Sequence, residues 1–479
     1  MSYEMRADYS QQWLFPPVVE DWVPADHPAR FLRDFVDALD LIAEGFTART
    51  SVEGRPSFAA DLLLKVWLYG YLNHIRTTRP LERACREHLS LVWLTGRHYP
   101  DHNTLWRFWR DNQAPLRRVL TQALRVAARC ELVGMVLHAV DGTKIPAQAS
   151  REGLRTRAEL ERVLAALDDR VEQGMAAIEA AEAAERACVD GAYCLPPELV
   201  DAAHRRERVR ELLEVLATEQ REKLTPHEPG AALMKTRGQG IVPSYNAQAV
   251  TDADSGLVVA AEVVTAPSDE AQLVPMLAAV QAQLGAVATD TVADGGYADP
   301  AQLAAAQERG YAVLVNLGAQ RAPAEGTPGT EYHSARFQYD AQRDCCVCPR
   351  GEVLRLVQRR AARGHRDALR VYRCAVFASC PVRWTCSRNK RGRTIELSVH
   401  DSAVRVQRER QSDPHTRALL RRRPAVAEKT FGTIKAAMGF RRWTVGGLEA
   451  VRTQWALVCT AFNLQKLYSA WRAGKLVFG

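Results

Sequence analysis

The stretch Val136-Leu137-His138-Ala139-Val140-Asp141-Gly142-Thr143 is an apolar run that ends in an acidic residue and a glycine. Short apolar runs that end in Asp-Gly are typical of buried strands followed by a turn. The pattern recurs in residues 287–297, where an apolar run ends in Asp294-Gly295-Gly296. A glycine after each Asp leaves room for a backbone or a phosphate to approach closely. The sequence therefore predicts two strands, each with a carboxylate at its end. The alternative is that each Asp only stabilises its turn, which is the commoner role of Asp-Gly.

The elements around these two strands follow a definite order. Apolar runs and helical spacing of apolar residues predict strand, strand, strand, helix, strand, helix, strand. This order favours an α/β fold with a mixed sheet covered by helices, and it is also the order of the ribonuclease-H-like core. The predicted segments are Met135–Val140, Ser244–Asp252, Gly256–Val264, Asp269–Leu284, the strand that leads to Asp294, Pro300–Arg309 and Tyr311–Leu317.

The chain divides into four predicted regions, and 479 residues suffice for two or three domains. Residues 1–133 show apolar residues at helical spacing and predict an all-α N-terminal domain. Residues 134–317 hold the first part of the sheet core, interrupted at 151–230 by a predicted helical hairpin. Residues 318–412 form an insertion rich in Cys and Arg, and residues 413–479 complete the core.

Charge is distributed unevenly along the chain. Residues 341–479 carry 29 Lys and Arg against nine Asp and Glu, so they are close to +20 although the whole chain is only +8. A strongly basic region indicates nucleic acid as a partner, although an arginine-rich genome that fills solvated surfaces is the alternative. The apolar runs are too short to span a bilayer, and we recognise no signal segment. We expect a cytoplasmic protein that associates with the nucleoid when it binds DNA.

A third carboxylate stands in Glu428-Lys429-Thr430-Phe431-Gly432-Thr433-Ile434-Lys435, where it is predicted to open a helix. Two carboxylates at strand ends and one on a helix can hold two Mg²⁺ or Mn²⁺ ions about 3.5–4 Å apart against a phosphodiester. Asp141, Asp294 and Glu428 are therefore the candidate catalytic and metal-binding residues. The candidates for phosphate contacts are Lys144, Arg423 and Lys435.

Six of the eleven cysteines fall within residues 345–386. Clustered cysteines without a recognisable signal segment indicate metal binding rather than disulfides. The pairs Cys345/Cys348 and Cys380/Cys386 are the candidate ligands of a structural Zn²⁺, and Cys374 or Cys346 could substitute. The alternative is a set of reduced, small, buried residues. We expect the surrounding arginines to bind DNA.

Two further segments carry aromatic residues beside basic ones. Asp101 can cap a helix that presents Arg107 and Arg110 to DNA. The alternative is that Trp106 and Trp109 of that helix are core residues and the arginines only face solvent. Near the C-terminus, Trp443 and Trp455 could stack on an unpaired base, although packing is the commoner role of tryptophan.

The chain resembles an insertion-sequence transposase of the DDE class, a mobile-element enzyme of DNA transposition and recombination. The resemblance rests on motifs in family order over roughly residues 20–468. They are Val23–Arg30, Leu63–Tyr71, Pro100–Thr104, Asp141–Ile145, Tyr245–Gln248, Ala293–Tyr297, Glu428–Lys435 and Asn463-Leu464.

The resemblance implies that Asp141, Asp294 and Glu428 form the metal-binding triad and that Lys435 belongs to the extended motif around Glu428. The chain departs from the family motif at Pro424, where relatives have Arg, and at Arg421, where relatives have Tyr. The resemblance further implies double-stranded DNA partners at transposon ends and target, a homodimeric synapse, and no membrane. We find no Walker-type loop and expect no nucleotide cofactor.

Two other functions remain open at this point. One is a metal-dependent nuclease of the same fold that cuts without joining. The other is a non-catalytic DNA-binding regulator derived from a transposase.

Overall fold

The structure is a computed structural model that describes residues 18–47, 57–185, 197–236, 238–317, 330–362 and 368–478, with backbone alone at 178–185 and 197–200. It is a mixed α/β protein, as the sequence predicts. None of the helices in these ranges is long and apolar enough to cross a membrane.

The N-terminal region is helical. Its buried residues recur every three or four positions, as in α6, where Leu116, Leu120, Ala123 and Ala127 are buried. His27 caps α1 and Asp101 caps α5 through side-chain acceptors. The helices are α1 (Pro28–Asp37), α2 (Ala60–Leu72), α3 (Thr78–Glu87), α4 (Leu89–Leu94), α5 (His102–Asp111) and α6 (Gln113–Arg129).

The central sheet has the strand order β6-β5-β1-β7-β8, with β4 paired to the N-terminal part of β5. The strand pairs β1–β5 and β5–β6 are antiparallel, whereas β1–β7 and β7–β8 are parallel. This is the mixed sheet of a ribonuclease-H-like core. The elements are β1 (Leu137–Pro146), β4 (Ala232–Thr236), β5 (Gly240–Asp252), β6 (Val258–Val264), α9 (Leu273–Leu284), β7 (Asp290–Ala293), α10 (Pro300–Glu308) and β8 (Val313–Val315).

Two predicted element bounds are wrong. The first strand does not end at Asp141 but continues to Pro146, because β5 pairs with it along its whole length, with Asp141 opposite Ala249. Gly142 is therefore a strand residue and not part of a turn. The helix predicted from Asp269 begins only at Leu273, and Asp269 lies in the bend before it.

Two insertions interrupt the core. The helices α7 (Arg157–Glu185) and α8 (Pro197–Thr218) pack on each other above a two-stranded ribbon of β2 (Arg155–Thr156) and β3 (Lys223–Leu224). The Cys-rich insertion is an antiparallel five-stranded sheet of order β13-β12-β11-β10-β9. Its elements are β9 (Gln338–Asp340), β10 (Cys345–Val347), β11 (Val353–Arg360), β12 (Leu369–Cys374), α11 (Arg383–Cys386) and β13 (Thr394–Ser398). The predicted boundary at residue 318 lies outside the described residues.

Three C-terminal helices return to the core: α12 (Asp401–Arg410), α13 (Pro414–Gly432), which continues as a π-helical turn at Thr433–Ala437, and α14 (Leu448–Arg472). Glu428 therefore lies in the last turns of a long helix that Asp413 caps, and it does not open one. The reason is that residues 414–427 are also helical and pack their apolar side on β1, β7 and β8.

Helix α14 lies between the N-terminal helices and the sheet. Its Asn463 side chain accepts from the Val258 amide and donates to the Val258 carbonyl, each at 2.8 Å. These two bonds satisfy backbone groups of the edge strand β6. Trp443 and Trp455 are fully buried and donate to the carbonyls of Ile145 and Gln248. Both are packing residues, and neither is exposed for base stacking.

Candidate active site

The strands β1 and β7 bring Asp141 and Asp294 to the same level of the sheet. The two strands are parallel, and Ala139 is in register with Val292. Asp141 and Asp294 each follow that pair by two residues, so the register places the two carboxylates side by side. Asp294 caps a short helical turn and accepts from the Gly296 amide at 2.8 Å.

Asp141 is poorly solvated and has an unusual charge environment. Burial raises its pKa from 3.8 to about 6, and the neighbouring Asp294 and Asp269 carboxylates act in the same direction. Arg423 opposes them, because its Nη1 lies 3.4 Å from Asp141 Oδ2 and both side chains are mostly buried. Negative charge thus accumulates around Asp141, and Arg423 is paired with it directly.

Asp269 is the residue that the sequence reasoning missed. Its Oδ2 accepts from Lys144 Nζ at 2.9 Å, and its Oδ1 accepts from the side-chain amides of Asn246 and Gln248, each at 2.7 Å. Gln248 in turn accepts from the hydroxyl of Tyr297. The quoted segment Tyr245–Gln248 signalled two of these partners, but the bend that carries Asp269 has no pattern of its own.

The two glycines beside the carboxylates make room for this network. A Cβ on Gly142 would lie 2.8 Å from Asp269 Oδ1, and a Cβ on Gly296 would lie 3.0 Å from Asp294 Oδ1. The space at Gly142 is thus filled by protein atoms. The expectation that this glycine leaves room for a phosphate is wrong, because Gln248 and Asp269 already occupy the space.

Helix α13 places Glu428 five residues after Arg423, the residue that pairs with Asp141. The side chain of Glu428 is exposed, whereas that of Asp141 is mostly buried. Seven residues later, Lys435 donates to the hydroxyl of Thr143 on β1. Seven residues are close to two helical turns, so Glu428 and Lys435 lie on roughly the same side of the helix.

The three predicted phosphate-binding cations each have a protein partner in the structure. Lys144 pairs with Asp269, Arg423 pairs with Asp141, and Lys435 donates to Thr143. One partner is Asp141 itself, Thr143 lies two residues after it on β1, and Asp269 lies in the bend beside it. These cations therefore set the charge and position of the site in addition to any contact with a substrate.

The carboxylate pair fits a divalent cation in its donor chemistry. Carboxylate oxygens are the ligands that Mg²⁺ prefers, and adjacent like charges that raise a pKa are relieved by a bound cation. Within the described ranges, however, no three Asp, Glu, His or Cys side chains converge closely enough to hold an ion. Asp141 and Asp294 are therefore neighbouring candidate ligands, and the structure does not show a complete set of three.

Two families of known proteins match parts of the chain. A family model described as "Transposase DDE domain" matches residues 347–468, and one described as "Transposase domain (DUF772)" matches residues 17–111. The matches indicate an insertion-sequence transposase of the DDE class. Glu428 lies inside the first match, whereas Asp141 and Asp294 lie between the two. No curated protein and no solved structure matches the chain.

The four cysteines that line one cavity differ from the predicted set. Cys348, Cys374, Cys380 and Cys386 line one small cavity beside the five-stranded sheet. Cys345 does not line it, because neighbouring residues of a strand point to opposite faces and Cys346 occupies the face toward the small core. Cys374 from β12 takes its place, as the sequence left open.

Backbone amides point at two of these sulfur atoms. The Arg350 amide donates to Cys348 Sγ at 3.3 Å, and the Val376 amide donates to Cys374. Burial raises the pKa of the Cys374 and Cys386 thiols, and the neighbouring cysteines add to this effect. Four thiols around one cavity, two of them with amide donors, are of the residue type that holds a structural Zn²⁺, although no three of them lie close enough in the described residues to hold an ion.

The helix predicted to contact DNA is α5. Arg107 and Arg110 are exposed on it, and Arg110 pairs with Asp111 at 2.7 Å. The alternative that Trp106 and Trp109 are core residues is correct for only one of them. Trp109 is buried, whereas Trp106 is 43 % exposed and stacks on Trp109 at 5.5 Å between ring centroids.

Proposed function

We propose that this transposase binds the terminal inverted repeats of its own insertion sequence, cleaves at the ends and transfers the 3′ ends to target DNA. The observation that carries the proposal is the shared register of Asp141 and Asp294, with burial and neighbouring carboxylates that raise the pKa of Asp141 to about 6. Two neighbouring carboxylates, one of them mostly buried, favour a cation between themselves and an anionic substrate.

In the proposed reaction Asp141, Asp294 and Glu428 would hold two Mg²⁺ or Mn²⁺ ions. Bound ions of this kind activate the attacking oxygen and stabilise the leaving oxygen of a phosphodiester. Helix α13 carries Glu428 and ends in a π-helical turn, and a small shift of such a turn can bring the carboxylate closer. Joining needs no nucleotide, because the freed 3′-hydroxyl attacks a target phosphorus while the target P–O3′ bond breaks.

The cations around the carboxylates hold them in place. Arg423 keeps Asp141 partly ionised, and Lys144 fixes Asp269 behind the pair. Lys435 anchors the end of α13 to β1 through Thr143. When DNA enters, Arg423 and Lys435 are the two of these groups that we expect to contact its phosphates, since both lie on the helix that carries Glu428.

DNA binding away from the cut involves α5 and the Cys-rich insertion in this proposal. The exposed side of α5 presents Arg107, Arg110 and Trp106 together. The insertion exposes Arg355, Arg359 and Arg360 on β11. A structural Zn²⁺ held by Cys348, Cys374, Cys380 and Cys386 would stabilise this small sheet, whose own apolar core is only a few residues. A homodimer would hold two ends together.

The test is cleavage of labelled DNA that carries the segments flanking the coding sequence, with Mg²⁺ and with EDTA. The parent is compared with Asp294→Asn, which keeps the size of the side chain and removes its charge. Nicking at the element end that needs Mg²⁺ and vanishes in Asp294→Asn supports the proposal. Cleavage without joining in a strand-transfer assay identifies the nuclease alternative. DNA binding without cleavage by the parent identifies the regulator and removes the catalytic assignment.

A further inference from the structure

A cavity of about 440 Å³ lies between α13, α14 and the turn that joins β5 to β6. Polar and basic side chains from all three elements face it. From α13 come Arg422 and Lys429, from α14 comes Lys466, and from the turn come Asp254 and Ser255. None of these residues belongs to the carboxylate site.

Positive charge exceeds negative charge in this cavity. Its lining has three cations and one carboxylate, and the pairing of Arg422 with Asp254 is long at 3.5 Å and about half exposed. No ion pair joins Lys429 to a carboxylate in the described part of the chain. The two lysines are close enough that Lys429 acts with burial to lower the pKa of Lys466. Two neighbouring ammonium groups without an acidic partner are stabilised by an anion.

The position of Lys466 is built into the surrounding structure. Its Nζ donates to the Ser255 carbonyl at 3.2 Å and lies 5.3 Å from the centre of the Phe462 ring. Gly256 has a φ of +67°, and a Cβ there would lie 2.9 Å from Lys466 Nζ. The turn therefore needs a glycine both for its backbone conformation and for the space that Lys466 occupies.

The cavity lies on the other flank of α13 from the proposed catalytic residue. With about 3.6 residues per turn, Arg422, Val426 and Lys429 lie roughly 100–160° around the helix axis from Glu428. A strand bound at the carboxylates and a phosphate bound in the cavity would thus contact opposite sides of one helix. The cavity is a separate contact for the same polymer.

We propose that this cavity is a binding site for a backbone phosphate of DNA, held by Lys429, Lys466 and Arg422 at a distance from the cut. The proposal rests on DNA as the substrate of the transposase but not on the assignment of the catalytic residues. Lysine ammonium groups bind phosphate as point charges, and their contribution to affinity falls with salt because counterions are released. A free phosphate ion offers the same chemistry, and the experiment separates the two.

The experiment measures binding of labelled duplex DNA to the full chain by fluorescence anisotropy at several salt concentrations. The variants are Lys429→Ala, Lys466→Met and the double variant, and Lys475→Ala is the matched control, an exposed lysine outside the cavity. Lys466→Met keeps the apolar stem on Phe462, and thermal unfolding verifies that each variant is folded.

If the proposal is correct, the slope of log K against log salt becomes shallower by roughly 1 for each lysine removed, and Lys475→Ala behaves as the parent. Equal slopes for the double variant and Lys475→Ala overturn the proposal. In that case the effect of inorganic phosphate on thermal unfolding is decisive for the source of the ligand. If phosphate raises the unfolding temperature of the parent but not of the double variant, the cavity binds free phosphate and not DNA. Cleavage is not measured, so the proposal can stand if Asp294 proves not to be catalytic.

Discussion

Arg423 Nη1 lies 3.4 Å from Asp141 Oδ2, and this arginine lowers the pKa of a carboxyl that has other acids beside it. The contact joins α13, which carries Glu428, to the centre of β1. It therefore couples the charge of the candidate metal-binding pair to the position of the helix that carries the third acid. A metal ion and Arg423 would compete for the same carboxylate oxygen.

Asp141 makes the stability of the metal-free protein depend on pH. Its pKa is about 6 when folded and near its ordinary 3.8 when unfolded, so the folded chain binds the extra proton between these values. Stability therefore falls as pH rises through this window, by up to about 2–3 kcal/mol. Asp141→Asn cannot ionise and is expected to lose this slope.

The measurement is urea unfolding in EDTA from pH 4 to pH 8. Asp26→Asn, an exposed aspartate on the surface, is the control and should keep the slope of the parent. The same slope in Asp141→Asn as in the parent would show that Asp141 does not titrate in this window.

Removing the arginine should raise the pKa of Asp141 further, because Arg423 lowers it now. We expect Arg423→Gln to shift the acidic limb of Mg²⁺-dependent cleavage toward higher pH. Arg421→Gln is the matched control, since it removes an exposed arginine two residues earlier on the same helix. A pH profile of cleavage checks this, and equal midpoints for the two variants would contradict the role of Arg423.

Asp269→Asn tests the network behind the carboxylates. The change removes the charge that Lys144 pairs with at 2.9 Å and disturbs two amide hydrogen bonds of 2.7 Å. We expect a loss of about 1–3 kcal/mol in the free energy of unfolding, measured in urea. The acidic limb of cleavage should also move to lower pH, since one of the charges that raise the pKa of Asp141 is gone. Loss of stability without that movement would assign Asp269 a structural role only.

The cysteine set predicts which thiols hold zinc. Cys374→Ala should lower bound zinc by one equivalent and destabilise residues 330–400, whereas Cys345→Ala should keep the metal, because only Cys374 lines the cavity with the other three. Metal content of purified protein by mass spectrometry checks this. Zinc loss in Cys345→Ala but not in Cys374→Ala would restore the set predicted from spacing.

The sequence predicted the sheet and the pairing of its carboxylates, but it misplaced several bounds. Apolar runs reveal a strand locally, yet whether a strand ends at Gly142 depends on its partner. Here β5 supplies that partner along the full length of β1. In the same way, Glu428 was predicted to open a helix because the packing of residues 414–427 on β1, β7 and β8 is not visible in the local pattern.

Asp269 could not be predicted because its partners are distant in the chain. Asn246, Gln248 and Lys144 are 23, 21 and 125 residues away from it. No local spacing distinguishes such a residue from an ordinary helix cap. Cys374 was partly predictable. The sequence named it as a substitute, and the pairing of β11 with β12 decided that it joins Cys348.

By itself the sequence determined the order of elements, the two carboxylates at corresponding positions of their strands, the basic C-terminal region and the clustered thiols, because these follow from local periodicity and composition. Only the tertiary structure decided that Asp269 stands beside the pair, that Arg423 and Lys435 have partners on β1, and that Glu428 lies in the last turns of a long helix. Contacts between distant segments arise from packing and burial, and burial also sets the pKa of Asp141, so neither can be deduced from local sequence.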